Sequence, residues 1–250
     1  MQYNIGLFVT CLVDLYRPSV AFSSIKLLES AGCTVGVPPS QTCCGQPAFN
    51  SGDNKTSQAI AKSTIEAFEV FDFVVAPSGS CAGMLKAHYP ALFDEGTDWH
   101  KKAVALASRV YELTSFLVDV LQLPHEKTQF DKTVTYHDSC AGLRELGIKD
   151  QPRKLLANST NCTITEMEDT DVCCGFGGTF CVKYPEISSR MVTDKAALAT
   201  QTGAQVLLGG DMGCLMNIAG RLSRAGSAVE VRHIAEVLAD DLTTPAIGKA

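Results

Sequence analysis

Ten of the eleven cysteines in this chain form two sets that repeat at nearly constant spacing. Each member of the second set follows its counterpart in the first by 129 to 133 residues. Because unrelated segments would not keep five such spacings, the pattern predicts two copies of one structural unit. We place the first unit at residues 1–123 and the second at residues 132–250, with a polar linker that begins at Pro124 between them. The paired cysteines are Cys11 with Cys140, Cys33 with Cys162, Cys43 with Cys173, Cys44 with Cys174, and Cys81 with Cys214.

Segments of strand and helix character alternate along both copies. Short β-prone runs are predicted at residues 5–10, 33–37, 73–76, 134–136 and 205–208, and helices at residues 19–29, 57–71 and 188–200. Strands that alternate with helices favour parallel sheets. The predicted fold class is therefore α/β, with two tandem, pseudo-symmetric units whose parallel sheets are flanked by helices. The cysteines then fall just beyond the C-terminal ends of strands, where open α/β sheets bind ligands.

Charge and hydropathy exclude several classes of partner. The net charge is −6, and no run of Lys or Arg is longer than a pair, so the sequence offers no basic surface for nucleic acid. No segment is apolar for long enough to span a bilayer, and the N-terminal residues lack a basic signal-peptide region, so we expect a cytoplasmic protein. In a reducing compartment, many cysteines indicate metal ligands or redox thiols rather than disulfides.

Two triplets of adjacent cysteines and glycine, at residues 43–45 and 173–175, are the most specific motifs. Adjacent thiolates on one loop do not enclose a single tetrahedral ion, but they can bind different irons of an iron–sulfur cluster while two distant cysteines approach from other loops. Zinc ribbons favour C-x-x-C knuckles, and this sequence has none. The glycines would let backbone amides approach the sulfur atoms. The predicted cofactor-binding and metal-binding residues are Cys11, Cys43, Cys44, Cys81, Cys140, Cys173, Cys174 and Cys214.

The double arrangement C-x(n)-CCG-x(n)-C resembles the CCG cysteine-rich domain family, which includes the cysteine-rich subunit of heterodisulfide reductases. The strings QTCCGQPAFNSG at 41–52, PSGSC at 77–81 and CCGFGGTF at 173–180 are similar to its lactate-utilisation protein A branch. This resemblance implies an iron–sulfur, electron-transfer subunit of a cytosolic, NAD-independent system that oxidises L-lactate to pyruvate. The partners it implies are a ferredoxin-like iron–sulfur protein and a third small subunit.

The sequence departs from the heterodisulfide reductase branch at one position in each unit. That branch closes each unit with C-x-x-C and uses five thiolates, whereas Met84 and Asn217 stand at the final positions here. Four thiolates in each unit suit an ordinary [4Fe–4S] cluster, with one or two clusters in the chain. A thiol–disulfide reductase and a zinc-binding scaffold remain the alternatives. We find no dinucleotide fingerprint, phosphate loop or His/acid pair, so no catalytic residue is assigned.

Four other residues are weighed between site and core roles. Cys33 and Cys162 enter apolar strands and are expected in the core. Cys181 has no counterpart, and it is either incidental or an auxiliary ligand. His137 precedes Cys140 by three residues and could contact the cluster, but its counterpart, Phe8, is apolar. This apolar counterpart favours a structural role for His137.

Overall fold

The computed structural model describes residues 2–122 and 129–249. They form two α/β units, each built on a four-stranded parallel sheet, which confirms the predicted fold class. Residues 124–128 of the expected linker lie outside the described residues. The strands are β1 Asn4–Leu7, β2 Thr34–Gly36, β3 Phe73–Ala76 and β4 Val110–Glu112 in the first sheet, and β5 Thr133–His137, β6 Thr163–Ile164, β7 Val206–Gly209 and β8 Glu230–His233 in the second.

Helices connect the strands in both units. The predicted helices at 19–29, 57–71 and 188–200 correspond to helices at Pro18–Ser30, Asn54–Ala67 and Pro185–Gln201. No helix in the described ranges combines the length and apolar character needed to cross a membrane. The α-helices are α1 Cys11–Tyr16, α2 Pro18–Ser30, α3 Gln46–Phe49, α4 Asn54–Ala67, α5 Gly79–Gly83, α6 Asp98–Ala107, α7 Leu113–Ser115, α8 Cys140–Leu146, α9 Asp150–Ala157, α10 Phe180–Lys183, α11 Pro185–Gln201, α12 Met212–Arg224 and α13 Ile234–Leu238, with π-helical turns at Met84–His88 and Phe116–Val120 and a 3₁₀ turn at Pro90–Leu92.

The strand order places the C-terminal edge of each sheet beside the cysteines. The orders are β2-β1-β3-β4 and β6-β5-β7-β8, so the chain changes direction across each sheet between its first and third strands. Ile5 in β1 pairs with Val35 on one side and with Phe73 on the other. Ligands of open α/β sheets bind at such a switch point, beyond the strand C-termini. The segments that follow β1 and β3 carry Cys11 and Cys81 to this point.

One hydrophobic core cluster extends across both units, and a second one lies within the first unit. Leu7 and Phe116 of the first unit and Tyr136 and Leu208 of the second belong to the same cluster of buried residues. Helix α2 packs against α13, and α5 packs against α8. Two separate pairs of helices therefore join the units. Burial of apolar side chains stabilises the protein by about 25 cal/mol per Å², and here part of that stabilisation depends on both units.

A buried ion pair also joins the units. The Arg17 guanidinium donates to the Glu236 carboxylate, with Nε 2.8 Å from Oε1, and the exposed fractions of the two side chains are 7% and 0%. Ser19 Oγ donates to the same carboxylate at 2.6 Å. Because a buried charge is costly without a partner, these contacts tie the start of α2 to α13.

Candidate metal centres

The strand-end cysteines lie at the starts of helices rather than in open turns. Cys11 is the first residue of α1 and Cys140 is the first residue of α8. Cys81 and Cys214 are the third residues of α5 and α12. Helix α5 begins at Gly79, two residues before Cys81, and helix α12 begins at Met212, two residues before Cys214. The helical backbone therefore fixes the direction of these side chains more firmly than a loop would.

In the first unit, the four predicted ligands form a chain of contacts through their sulfur atoms. Cys43 Sγ is hydrogen bonded to Cys11 and to Cys44, and Cys44 is hydrogen bonded to Cys81. The hydrogen bond from Cys11, then that from Cys44, lowers the pKa of Cys43 to about 2. The same contact with Cys43, together with burial, raises the pKa of Cys44. Cys11 and Cys44 thus both contact the Cys43 sulfur.

The second unit repeats this chain of contacts. Cys173 is hydrogen bonded to Cys140 and to Cys174, and Cys174 is hydrogen bonded to Cys214. The hydrogen bond from Cys140, then that from Cys174, lowers the pKa of Cys173 to about 2. The structure therefore brings together, in two separate groups, all eight cysteines that the sequence selected. Their role as cluster ligands stays a prediction.

The glycine of each CCG triplet brings a backbone amide to a sulfur atom. Gly45 and Gly175 have φ values of 85° and 81°, in the left-handed region that favours glycine. The Gly45 amide donates to Cys43 Sγ at 3.5 Å, and the Gly175 amide donates to Cys173 Sγ at 3.4 Å. In both units the triplet thus turns back so that its own amide stabilises negative charge on the first cysteine.

A cavity of about 230 Å³ adjoins the first group of cysteines. Its wall includes Cys11, Cys43, Cys44 and Cys81, together with Phe176, Thr179 and Asp211 from the second unit. A water molecule takes up about 30 Å³ of liquid, so this space is much larger than one metal ion. The donor set and the space fit a polynuclear cluster better than a single tetrahedral ion.

Asp211 links the cysteine-bearing helices of the two units. Its carboxylate accepts from Ser78 Oγ at 3.0 Å and from the Ser80 amide at 2.9 Å in the first unit, and it caps its own helix by accepting from the Gly213 amide at 3.2 Å. Nearby, α5 approaches α8 so closely that a Cβ on Gly79 would lie 2.6 Å from Ser139 Oγ. The two groups of cysteines are therefore held by one connected structure.

Two buried polar side chains accompany the second group of cysteines. His137 ends β5, and its ring nitrogen and the Sγ atoms of Cys174 and Cys214 all lie within 4.8 Å of one another. Burial, and then the Lys195 charge, lower the pKa of His137 to about 3. Lys195 is itself 1% exposed, and its ammonium donates to the Asp169 and Thr170 carbonyl oxygens. The sequence favoured a structural role for His137, and its position three residues before Cys140 was the available signal for a role at the site.

The remaining cysteines lie outside the two groups. Cys33 is buried in the shared core, and Cys162 is half-buried against it. Cys181 is half-buried in α10, where its Sγ donates to the Gly178 carbonyl oxygen at 3.3 Å. These positions agree with core roles for Cys33 and Cys162.

Comparison with known proteins identifies the family. The model of the cysteine-rich domain matches residues 5–86 and 134–219, that is, both units. The chain belongs to the cysteine-rich domain family. It is 47% identical to lactate utilization protein A of Oceanobacillus iheyensis, over 94% of this chain and 96% of that protein. It is 48% identical to lactate utilization protein A of Bacillus licheniformis, over 94% of this chain and 98% of that protein.

A solved structure shares the fold at low sequence identity. A hypothetical protein from Helicobacter pylori superposes with a TM-score of 0.65 at 10% identity, and the match covers 97% of this chain. This chain spans about half of that longer chain, 49% of its length. The likeness extends to the fold, and both units take part in it.

Proposed function

We propose that this chain binds an iron–sulfur cluster in each of its two units, residues 1–123 and 132–250, and transfers electrons in a lactate-utilisation system. The observation that carries the proposal is the convergence of four cysteine sulfurs in each unit, beside a cavity too large for one ion in the first. When bound, such a cluster accepts and releases single electrons. The names of the relatives supply the lactate-utilisation part of the proposal.

The residues around the first group support electron transfer rather than lactate binding there. Lactate is an anion, and its recognition needs a cationic or strongly donating group. Among the described residues that line the cavity, Asp211 is charged, and none is a lysine or arginine. We therefore place lactate oxidation on a partner. The partners we propose, from the family resemblance, are a ferredoxin-like iron–sulfur protein and a third small subunit, in the cytoplasm.

The positions where a fifth thiolate would stand have other roles. Met84 is fully buried in the apolar core of the first unit. Asn217 donates from its side-chain amide to the Cys174 carbonyl oxygen at 2.9 Å. These contacts support four thiolates in each unit and a [4Fe–4S] cluster, and they disfavour the disulfide-reducing chemistry of the five-thiolate branch.

Metal analysis of protein purified without oxygen tests the cluster. We expect a brown protein with broad absorbance near about 400 nm, acid-labile sulfide, and about four irons for each occupied unit. Stoichiometric zinc without sulfide would instead support a zinc-binding scaffold and contradict the proposal.

An activity assay tests the electron-transfer assignment. Fully iron-loaded, anaerobic protein is assayed for L-lactate oxidation with an artificial acceptor, alone and with its partner subunits. We expect turnover only with the partners, because a cluster takes single electrons and cannot accept a hydride from lactate. Robust turnover by the isolated chain would move the catalytic site into one of its own units.

A further inference from the structure

His137 is a buried polar side chain without a hydrogen-bond partner. Its ring is 1% exposed, and neither Nδ1 nor Nε2 has a partner among the described residues. Buried polar atoms in native proteins are nearly always paired, so an unpaired imidazole indicates a missing group. The atoms that lie next to the ring are the Sγ atoms of Cys174 and Cys214, within 4.8 Å. The missing partner therefore belongs to the second group of cysteines.

The first unit has no such donor at the same place. The counterpart of His137 is Phe8, the residue directly after β1. Phe8 is fully buried in one cluster with Cys44 and Cys81. A phenyl ring offers sulfur no N–H. The two groups of cysteines thus have the same thiols and the same backbone turn, but among the residues that the structure describes, only the second group has an imidazole beside its sulfur atoms.

A count of donors decides between a ligand role and a hydrogen-bonding role for His137. The second unit already supplies four thiols, which match the four irons of a [4Fe–4S] cluster. An imidazole ligand would have to displace one of them. An imidazole also carries an N–H whether it is neutral or protonated. Donation to sulfur satisfies this N–H and leaves all four thiols in place.

We propose that His137 donates its ring N–H to sulfur at the second cluster, on the side of Cys174 and Cys214, and that this raises the reduction potential of that cluster above that of the first. The inference rests on the proposed function, since it requires both clusters. A hydrogen bond to sulfur is stronger when the cluster carries one more negative charge, so it favours the reduced state.

Lys195 acts in the same direction. This buried cation interacts electrostatically with Cys174 and with Cys214. In the first unit, the corresponding helix α4 buries Ser57, Ala61, Thr64 and Ile65, none of which is charged. Positive charge in a poorly solvated region stabilises an added electron. At equilibrium, an electron that leaves the first cluster oxidises it by one electron and reduces the second by one electron, and no proton is needed for balance.

Pulsed electron paramagnetic resonance on protein labelled with ¹⁵N-histidine tests the contact directly. We expect a weak nitrogen coupling on the reduced second cluster of the full chain, and the same signal in Cys44→Ser, which retains only that cluster. His137→Phe, which installs the side chain of the first unit, should abolish the coupling. His100→Phe, in α6 of the first unit, is the matched control and should leave it unchanged.

Redox titration of the same proteins tests the consequence. The midpoint potential of the second cluster should shift to a more negative value in His137→Phe and in His137→Leu, while that of the first cluster stays constant. If one variant fails to fold, the labelled wild-type protein still tests the contact, and the other variant still tests the shift in midpoint potential.

Three results would overturn the inference while leaving the proposed function intact. They are the absence of histidine coupling in iron-loaded wild-type protein, a strong coupling that indicates a direct nitrogen–iron bond, and an unchanged potential in both variants with iron retained. Anaerobic wild-type protein without iron and sulfide would contradict the proposed function itself.

Discussion

The two units have the same backbone framework but surround their cysteines with different chemistry. In the first unit, Cys44 and Cys81 belong to an apolar cluster with Phe8, Phe68 and Met84. In the second, Cys174 and Cys214 lie beside His137 and interact with the Lys195 charge. The positions of the thiols are therefore the same in both units, while the electrostatic environment around them differs.

The carbonyl oxygen in the middle of each CCG triplet shows the same divergence. Tyr89 donates its hydroxyl to the Cys44 carbonyl oxygen at 2.9 Å. Asn217 donates its amide to the Cys174 carbonyl oxygen, also at 2.9 Å. Both units satisfy a buried acceptor, as burial requires. The donor is a tyrosine in the first unit and an asparagine in the second. The hydrogen bond to the triplet carbonyl oxygen is therefore common to both units, although the donor residue is not.

Substitution of one cysteine in each unit should produce the largest effect. Cys44→Ser and Cys174→Ser should each lower the iron content by about one cluster, because each cluster loses one of four thiolates. Iron and sulfide analysis of anaerobic protein measures this. The matched control is Cys33→Ser, which lies in the shared core. It should keep all iron and cost about 1 kcal/mol for a buried hydroxyl. Equal iron loss in Cys33→Ser would show that Cys33 is a ligand.

The contacts between the units should also prove unequal. Arg17→Met leaves the Glu236 carboxylate buried without its partner and should destabilise the protein by about 3 to 5 kcal/mol. A second contact between the units joins α9 to the turn at Phe116–Val120, through an exposed hydrogen bond from Gln151 to Asp119 at 2.9 Å. Gln151→Ala should therefore change the free energy of unfolding by less than about 1 kcal/mol. Denaturant titration compares the two variants, and similar losses would contradict this difference.

The residues that cap the last helix of each unit should respond oppositely to pH. Glu112 caps α7 and His233 caps α13. Burial raises the pKa of Glu112 from 4.5 to about 7, although hydrogen bonds from Thr114 and Ser115 oppose the shift. Its contribution to stability is therefore lost as pH rises from about 4.5 through about 7. Burial lowers the pKa of His233, so its contribution is lost as pH falls below the unfolded value of 6.5.

Glu112→Gln separates the two responses. The variant should gain stability relative to wild type as pH rises from about 5 to about 8, by up to about 3 kcal/mol, since one pKa unit corresponds to about 1.4 kcal/mol. Free energies of unfolding at the two pH values measure the gain. A difference between variant and wild type that does not change with pH would show that Glu112 stays ionised in the folded protein.

Removal of the two carbonyl donors should have a smaller effect than Arg17→Met or Glu112→Gln. Tyr89→Phe deletes one hydroxyl and Asn217→Ala deletes one amide, and each leaves a triplet carbonyl oxygen without this donor. Each should cost about 1 to 2 kcal/mol of stability while the iron content stays near the wild-type value. Thermal denaturation with parallel iron analysis checks both. Loss of a whole cluster from either variant would mean that the donor is essential to the site.

Most of the fold could be predicted from the sequence because the repeat and the strand–helix alternation are local signals. Strand β3 and helices α2, α4 and α11 follow directly from apolar spacing. The fourth strand of each sheet was missed because β4 and β8 run directly into α7 and α13. The short strand is therefore too closely joined to a helix for the alternation of apolar and polar residues to be recognised. The contacts of His137 and Asp211 depend on packing between distant segments. Sequence spacing carries no information about those distances, so only the structure could show them.

The shared core has a consequence for how the protein is synthesised. Residues such as Leu7 and Phe116 leave the ribosome before Tyr136 and Leu208, which belong to the same core cluster. Until the second half of the chain has emerged, the first half exposes apolar surface that its own sheet and helices do not cover. Such surface promotes aggregation of incomplete chains, and chaperones recognise it. Although the sequence repeats, the first unit therefore completes its folding only after the second unit has been synthesised.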